Sequence, residues 1–226
     1  MKYTYYGHSC FLLETEKYRL LFDPFISGNP LAKHIDLQSI QADYILLSHG
    51  HGDHLADVVP LAQHNPNCTI ICLPEIAVWL RKQGIERIHE MNIGKFHFDF
   101  GTLRMVVATH SSGLPDGSYG GNPVGFVLEA EGIQIYYAGD TGLSYEMKIL
   151  AELYQLEYAI MPIGGNFTMD ASDAALAADY INCKQVIGVH YDSFPVIKID
   201  PYTAKEIFKR AQKKLLLPAI GESLNL

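Results

Sequence analysis

The chain is predicted to be α+β, a four-layer αββα sandwich of two mixed β-sheets, on three observations. Two β-rich stretches, 2–22 and 95–137, are each followed by segments that alternate helical and strand patterns. Hydrophobic residues make up 48% of the chain and charged residues 19%, with no low-complexity tract, which is the profile of an ordinary globular protein. Histidines and aspartates stand directly after apolar, strand-like runs, where a sheet scaffold places its functional loops. With 226 residues and neither a linker nor an internal repeat, one domain over 1–226 is expected.

The elements follow in order. Lys2 to Phe22 reads as three short strands, with Phe11–Thr15 and Tyr18–Phe22 forming a hairpin across Glu16 and Lys17. Asp43–Ser48 (DYILLS) is a continuous apolar run, the pattern of a strand buried on both faces, and it delivers His49 at its end. A helix from about Ala56 to Gln63 and a strand Thr69–Leu73 come next. A second helix, Pro74–Gln83, is opened by its proline and closed by Gly84. Lys95–Phe100 and Leu103–Thr109 read as strands around Gly101, followed by a Gly-rich stretch, Ser111–Pro123, and a hairpin over Val124–Tyr137. The remainder reads as helix Tyr145–Leu153, strand Tyr158–Pro162, helix Ser172–Ile181 with Asp170 or Ser172 as cap, strand Gln185–Val189 and helix Thr203–Lys214.

Charge and patterning exclude several function classes. A net charge of -8 without a basic, aromatic-bearing segment argues against nucleic acid as a partner. No stretch approaches the roughly 20 apolar residues that cross a bilayer. Met1–Cys10 has neither a charged leader nor an apolar core, so a cytoplasmic protein with no membrane association is expected. Cys10, Cys68, Cys72 and Cys183 are expected to be reduced, buried thiols; Cys68 and Cys72 on one strand would stand roughly 13 Å apart, too far for a shared ion. A homo-oligomer is compatible with the 14 tyrosines but not set by them.

The densest chemistry is His49-Gly50-His51-Gly52-Asp53-His54, three imidazoles and a carboxylate directly after a buried strand. Imidazole nitrogen and carboxylate oxygen suit zinc and similar divalent ions, and the two glycines would let a loop bend so that neighbouring side chains converge. The bland alternative is a surface histidine cluster used for loose metal capture. Against it, His110, Asp140 and His190 stand at the ends of three further strands and supply the missing ligands. His34, His64, His89 and His97 belong to no such motif.

The sequence resembles the metallo-β-lactamase superfamily through HGHGDH (His49–His54), THSS (Thr109–Ser112), GDT (Gly139–Thr141) and GVH (Gly188–His190). YYGHSCF (Tyr5–Phe11) and MPIGGNFTM (Met161–Met169) are similar, more narrowly, to a branch of metal-dependent hydrolases akin to the L-ascorbate-6-phosphate lactonase group. The resemblance implies two divalent metal ions, one held by His49, His51 and His110, the other by Asp53, His54 and His190, with Asp140 bridging. Zinc is the expected ion; manganese, nickel, cobalt and iron are alternatives. His51 stands where the diiron oxygen reductases of the superfamily have Glu, which favours hydrolysis over redox chemistry.

The expected activity is cleavage of an ester, lactone or phosphoester bond in a small molecule by a hydroxide bridging the two ions, Asp53 serving as catalytic group as well as ligand. His8, in the first hairpin, is either a catalytic proton donor or substrate contact, or a hydrogen-bonded structural histidine. The amides of the Gly164–Thr168 stretch, with Gly165 and Asn166 as substrate-binding residues, would meet an anionic group, or the stretch is a plain turn. The alternatives to a small-molecule hydrolase are a phosphodiesterase or ribonuclease of the same superfamily, and a metal-binding module without turnover.

Overall fold

In a computed structural model describing residues 1–226, the chain divides into two compact units, each built on one seven-stranded mixed sheet. The α+β class and the two mixed sheets are as the sequence predicts.

The first unit comprises Met1–Gly94, Ser111–Pro123 and Ala219–Leu226. Its strands are β1 (Lys2–Gly7), β2 (Cys10–Glu14), β3 (Arg19–Phe22), β4 (Tyr44–Leu46), β5 (Thr69–Cys72), β6 (Ile88–Glu90) and, last in the chain, β14 (Ser223–Asn225), in the order β14-β1-β2-β3-β4-β5-β6. β1, β2 and β3 pair antiparallel, and β3 to β6 run parallel. β1, β3 and β4 therefore point the same way, and the residues that follow them leave the sheet at one edge. The core is aromatic at this end: Phe11 stacks between Tyr3 (5.2 Å between ring centroids) and Phe22 (4.5 Å). Full burial of each such side chain stabilises the fold by about 1.5–3 kcal/mol.

The helix expected over Ala56–Gln63 is α2 (Val58–His64), and a short helix that was not expected, α1 (Gly52–Leu55), precedes it. Asp57 separates them with a non-helical backbone, and its carboxylate is not used as a cap; it accepts from the N–H groups of Ile26 (2.6 Å) and Ser27 (2.9 Å) and from the Ser27 hydroxyl. A tertiary bond thus overrides the local pattern. α3 (Pro74–Lys82) begins at its proline and stops before Gly84, whose φ of +81° suits a glycine.

The second unit comprises Lys95–His110 and Val124–Pro218. It carries β7 (Gly94–Phe98), β8 (Gly101–Val107), β9 (Val124–Ala130), β10 (Ile133–Tyr137), β11 (Tyr158–Pro162), β12 (Gln185–Val189) and β13 (Lys214–Leu216), in the order β13-β12-β11-β10-β9-β8-β7. β8, β9 and β10 alternate in direction, while β10 to β13 are parallel. β8, β10, β11 and β12 accordingly share a direction and end at one edge. Helix Tyr145–Leu153 is a 3-10 turn, Tyr145–Met147, leading into α4 (Lys148–Leu153).

α5 (Ala171–Tyr180) is capped by Asp170, which accepts from Ser172 N–H (2.8 Å) and Asp173 N–H (2.9 Å); Ser172 is inside the helix. Its buried face is four alanines, Ala174, Ala175, Ala177 and Ala178, which pack into one cluster with Met161, Ile163 and Phe208. α6 (Pro201–Arg210) repeats the scheme with Asp200 as cap and proline at its first turn. No helix is long and apolar enough to cross a membrane.

Candidate metal centre

In the first unit, the donors follow from strand direction. His8 comes after β1, Asp23 after β3, and His49 to His54 after β4, all at one sheet edge. His51 is the N-cap of α1, so Asp53 and His54 ride on a helical turn rather than a loop. The glycines of the motif act differently from the expectation that both supply flexibility. A Cβ on Gly50 would stand 3.2 Å from Leu114 and 3.3 Å from Ser112 Oγ, and Gly50 N–H donates to Ser112 Oγ at 3.0 Å, so this glycine serves close approach; Gly52 faces open space.

The imidazoles converge. His49 Nε2 lies 2.9 Å from His51 Nδ1, and the rings of His49 and His54 are 4.1 Å apart between centroids. Two imidazole nitrogens this close fit together when one carries a proton or when both turn lone pairs toward a cation, and N donors of this kind suit zinc.

Orientation comes from Asp23, which the sequence reading missed. Its carboxylate is fully buried and accepts from Ser48 N–H (2.8 Å, Oδ1), Ser48 Oγ–H (2.5 Å, Oδ2) and His54 Nδ1–H (2.9 Å, Oδ2). A proton on His54 Nδ1 leaves the lone pair on Nε2, and Ser48 Oγ, 3.0 Å from His49 Nδ1, fixes His49 in the same sense. A carboxylate behind a ligating histidine sets its tautomer and raises its basicity. The available signal was a lone acid closing the apolar run Leu20–Phe22, which from sequence reads as a loop residue.

His8 is buried, with Nε2 3.2 Å from Asp53 Oδ2. It occupies a left-handed backbone conformation, φ +54°, in the two-residue turn between β1 and β2. Tyr5 Oη–H donates to its carbonyl at 3.1 Å.

In the second unit, His110 follows β8, Asp140 follows β10 through Gly139 (φ +61°), and His190 follows β12. They surround one carboxylate oxygen: Asp140 Oδ2 is 2.9 Å from His190 Nε2 and 3.7 Å from His110 Nε2. Thr141, wholly buried, ties the strand ends together. Its Oγ1 accepts from Thr109 N–H (2.9 Å) and its carbonyl from Met169 N–H (3.0 Å). Gly164 belongs to this frame as well, because a Cβ there would come 2.3 Å from the His190 carbonyl oxygen.

Gly165 (φ +71°) gives its N–H to the Met169 carbonyl at 3.0 Å, so that amide is engaged within the turn; Asn166 is exposed beside it. Histidines outside the motifs sit on local partners: His34 on the Ile220 carbonyl, His64 on Gln41 and His97 on Thr102. The four cysteines are free and buried, and none joins a group of convergent metal donors. Burial pushes the Cys68 thiol up to about 12 and raises those of Cys10, Cys72 and Cys183.

A family model described as the beta-lactamase superfamily domain matches residues 18–191, which include all seven positions from His49 to His190. The chain belongs to the metallo-β-lactamase superfamily. Within it, the chain is 50% identical to a UPF0173 metal-dependent hydrolase of Methylacidiphilum infernorum and 40% identical to one of Bacillus subtilis, each covering 100% of both chains. Among solved structures, Igni18, a metallo hydrolase from Ignicoccus hospitalis, is 33% identical, with a TM-score of 0.88 over 99% of this chain and 97% of that one. An isothiocyanate hydrolase from Delia radicum gut bacteria shares the fold at a TM-score of 0.84 and 20% identity, covering 100% and 99%. This metallo-β-lactamase superfamily member is a metal-dependent hydrolase. His8 lies before the matched stretch.

Proposed function

We propose that the chain hydrolyses an ester, lactone or phosphoester bond of a small molecule, using two divalent ions. His49, His51 and His110 would hold one ion, Asp53, His54 and His190 the other, and Asp140 would serve both; zinc is the expected metal and manganese, nickel or iron the alternatives. Such ions, when bound, activate water near neutral pH and polarise the bond under attack.

The chain's own residues do the rest. Asp23 and Ser48 keep His54 and His49 in the tautomer whose Nε2 faces the centre. Asp53, partly exposed, is the carboxylate that accepts a proton during turnover. The exposed Asn166 side chain meets a polar group of the substrate, while Gly165 contributes the turn rather than its amide. With a net charge of -8, a small molecule is favoured over nucleic acid as substrate, and four cysteines outside any disulfide favour the cytoplasm.

The observation that carries this reading is the buried Asp23–His54 pair, a second carboxylate spent on holding a histidine that has a lone pair to offer. The test is metal content of protein purified without chelator, paired with hydrolysis of a p-nitrophenyl ester, a lactone and bis-p-nitrophenyl phosphate before and after chelation. Two ions per chain and chelator-sensitive turnover are expected. Turnover that survives complete metal removal, or failure to bind metal under any loading condition, overturns it.

A further inference from the structure

We propose that His8 is an additional ligand of the ion held by Asp53 and His54, an eighth donor beyond the seven that the superfamily pattern supplies. The inference rests on the two-ion reading above. Its basis is geometry. His8 Nε2 is 3.2 Å from Asp53 Oδ2, and donor atoms of His8, Asp53 and His54 all lie within 4.8 Å of one another. The His8 and His54 rings meet edge to face, centroids 5.4 Å apart at 65°. That is close to the mutual placement of His49 and His51, 4.6 Å at 80°, whose nitrogens converge at 2.9 Å.

The backbone points the same way. A left-handed conformation costs a non-glycine residue about 1–2 kcal/mol, and Gly, Asn or Asp would fill this turn more cheaply. The fold nevertheless holds a histidine there. Gly7 (φ +99°) precedes it at a point where a Cβ would be 2.6 Å from Asn29, Tyr5 binds its carbonyl, and Phe25 packs edge-on against its ring at 5.3 Å. Strain that surrounding contacts over-determine is a mark of functional positions.

Burial separates this role from that of a proton donor. The His8 imidazole is completely shielded and faces a carboxylate that is itself a ligand, whereas an acid that protonates a leaving group must reach substrate. One consequence is unequal affinity: the ion at Asp53, His54 and His8 is held by more donors and leaves last on chelation.

The direct test is zinc-loaded wild-type protein crystallised and measured at the zinc absorption edge. His8 Nε2 is expected about 2.0–2.1 Å from the ion beside Asp53. An ion at that position with His8 Nε2 beyond 3 Å overturns the role of His8 and leaves the two-ion site standing; no ion beside Asp53 and His54 removes both. In cobalt titrations, His8→Gln is expected to weaken the tighter equivalent by at least the 10–100-fold that loss of an outer-shell partner costs, and to alter its visible absorption bands; His8→Asp restores part of the affinity. Unchanged affinity and spectrum in His8→Gln overturn the proposal.

Discussion

Replacing Asp23 tests how this centre is held together. Asp23→Ala removes the acceptor of three buried donors: His54 Nδ1–H, Ser48 N–H and Ser48 Oγ–H. The hydroxyl can rotate to a new partner, but the imidazole and the backbone amide cannot. At about 1–3 kcal/mol for each buried donor left unsatisfied, the loss is roughly 2–6 kcal/mol. Set against a total stability of about 5–15 kcal/mol, that is a large share, so the metal-free protein should unfold at much lower urea. Asp23→Asn keeps the shape and one acceptor oxygen, so its stability loss is smaller, yet its amide cannot hold His54 in the ligating tautomer as a carboxylate does. Zinc affinity should therefore fall about 10–100-fold in both variants. The assays are urea unfolding of the apo-protein and competitive zinc titration. A change in unfolding free energy within about 0.5 kcal/mol for Asp23→Ala, the range of an ordinary surface substitution, together with wild-type zinc affinity, refutes the reasoning.

The other predictions concern single contacts. Gly164→Ala forces a Cβ to 2.3 Å from the His190 carbonyl oxygen, so backbone must shift; lower thermal stability and weaker zinc binding are expected by melting and titration. Gly52→Ala meets nothing within 4 Å in helix α1 and should leave the melting temperature unchanged or raise it, consistent with about 0.4–1 kcal/mol of reduced unfolded-chain entropy. Asp140→Ala should abolish hydrolysis with the fold retained by circular dichroism, since both His110 and His190 face that carboxylate. The buried thiols should resist Ellman's reagent at pH 8 in the native protein, and all four should react after denaturation. Because burial raises the thiol pKa, to about 12 for Cys68, their contribution to stability is complete below the unfolded value of about 8.5 and is lost as pH climbs from there toward the folded value. Urea midpoints across pH 7–11 in a thiol-free variant and the wild type give the difference.

The strands β6, β13 and β14 were invisible in the sequence, because, unlike β4, none is embedded in a long apolar run closed by polar residues, and each exists through its pairing with β5, β12 and β1. The long elements were legible: buried strands announce themselves by continuous apolar runs, and Pro74, Gly84 and Asp170 mark helix ends by backbone geometry and capping that act within a few residues. Gly165 illustrates the middle case, since its positive φ was readable as a turn but the engagement of its amide by Met169 was not.

By itself, then, the sequence singled out the candidate donors, because HGHGDH and the histidines and aspartate that close apolar strands concentrate metal-ligating chemistry that few other uses require. Only the tertiary structure decided which way those donors face. Parallel pairing of β3 with β4 sets Phe22 opposite Leu46, and one step further brings Asp23 against Ser48 and His54, thirty-one residues away. Antiparallel pairing returns β1 to the same edge and brings His8 to Asp53. Hydrogen-bond partners distant in sequence are chosen by strand direction and register, and those are properties of the folded sheet.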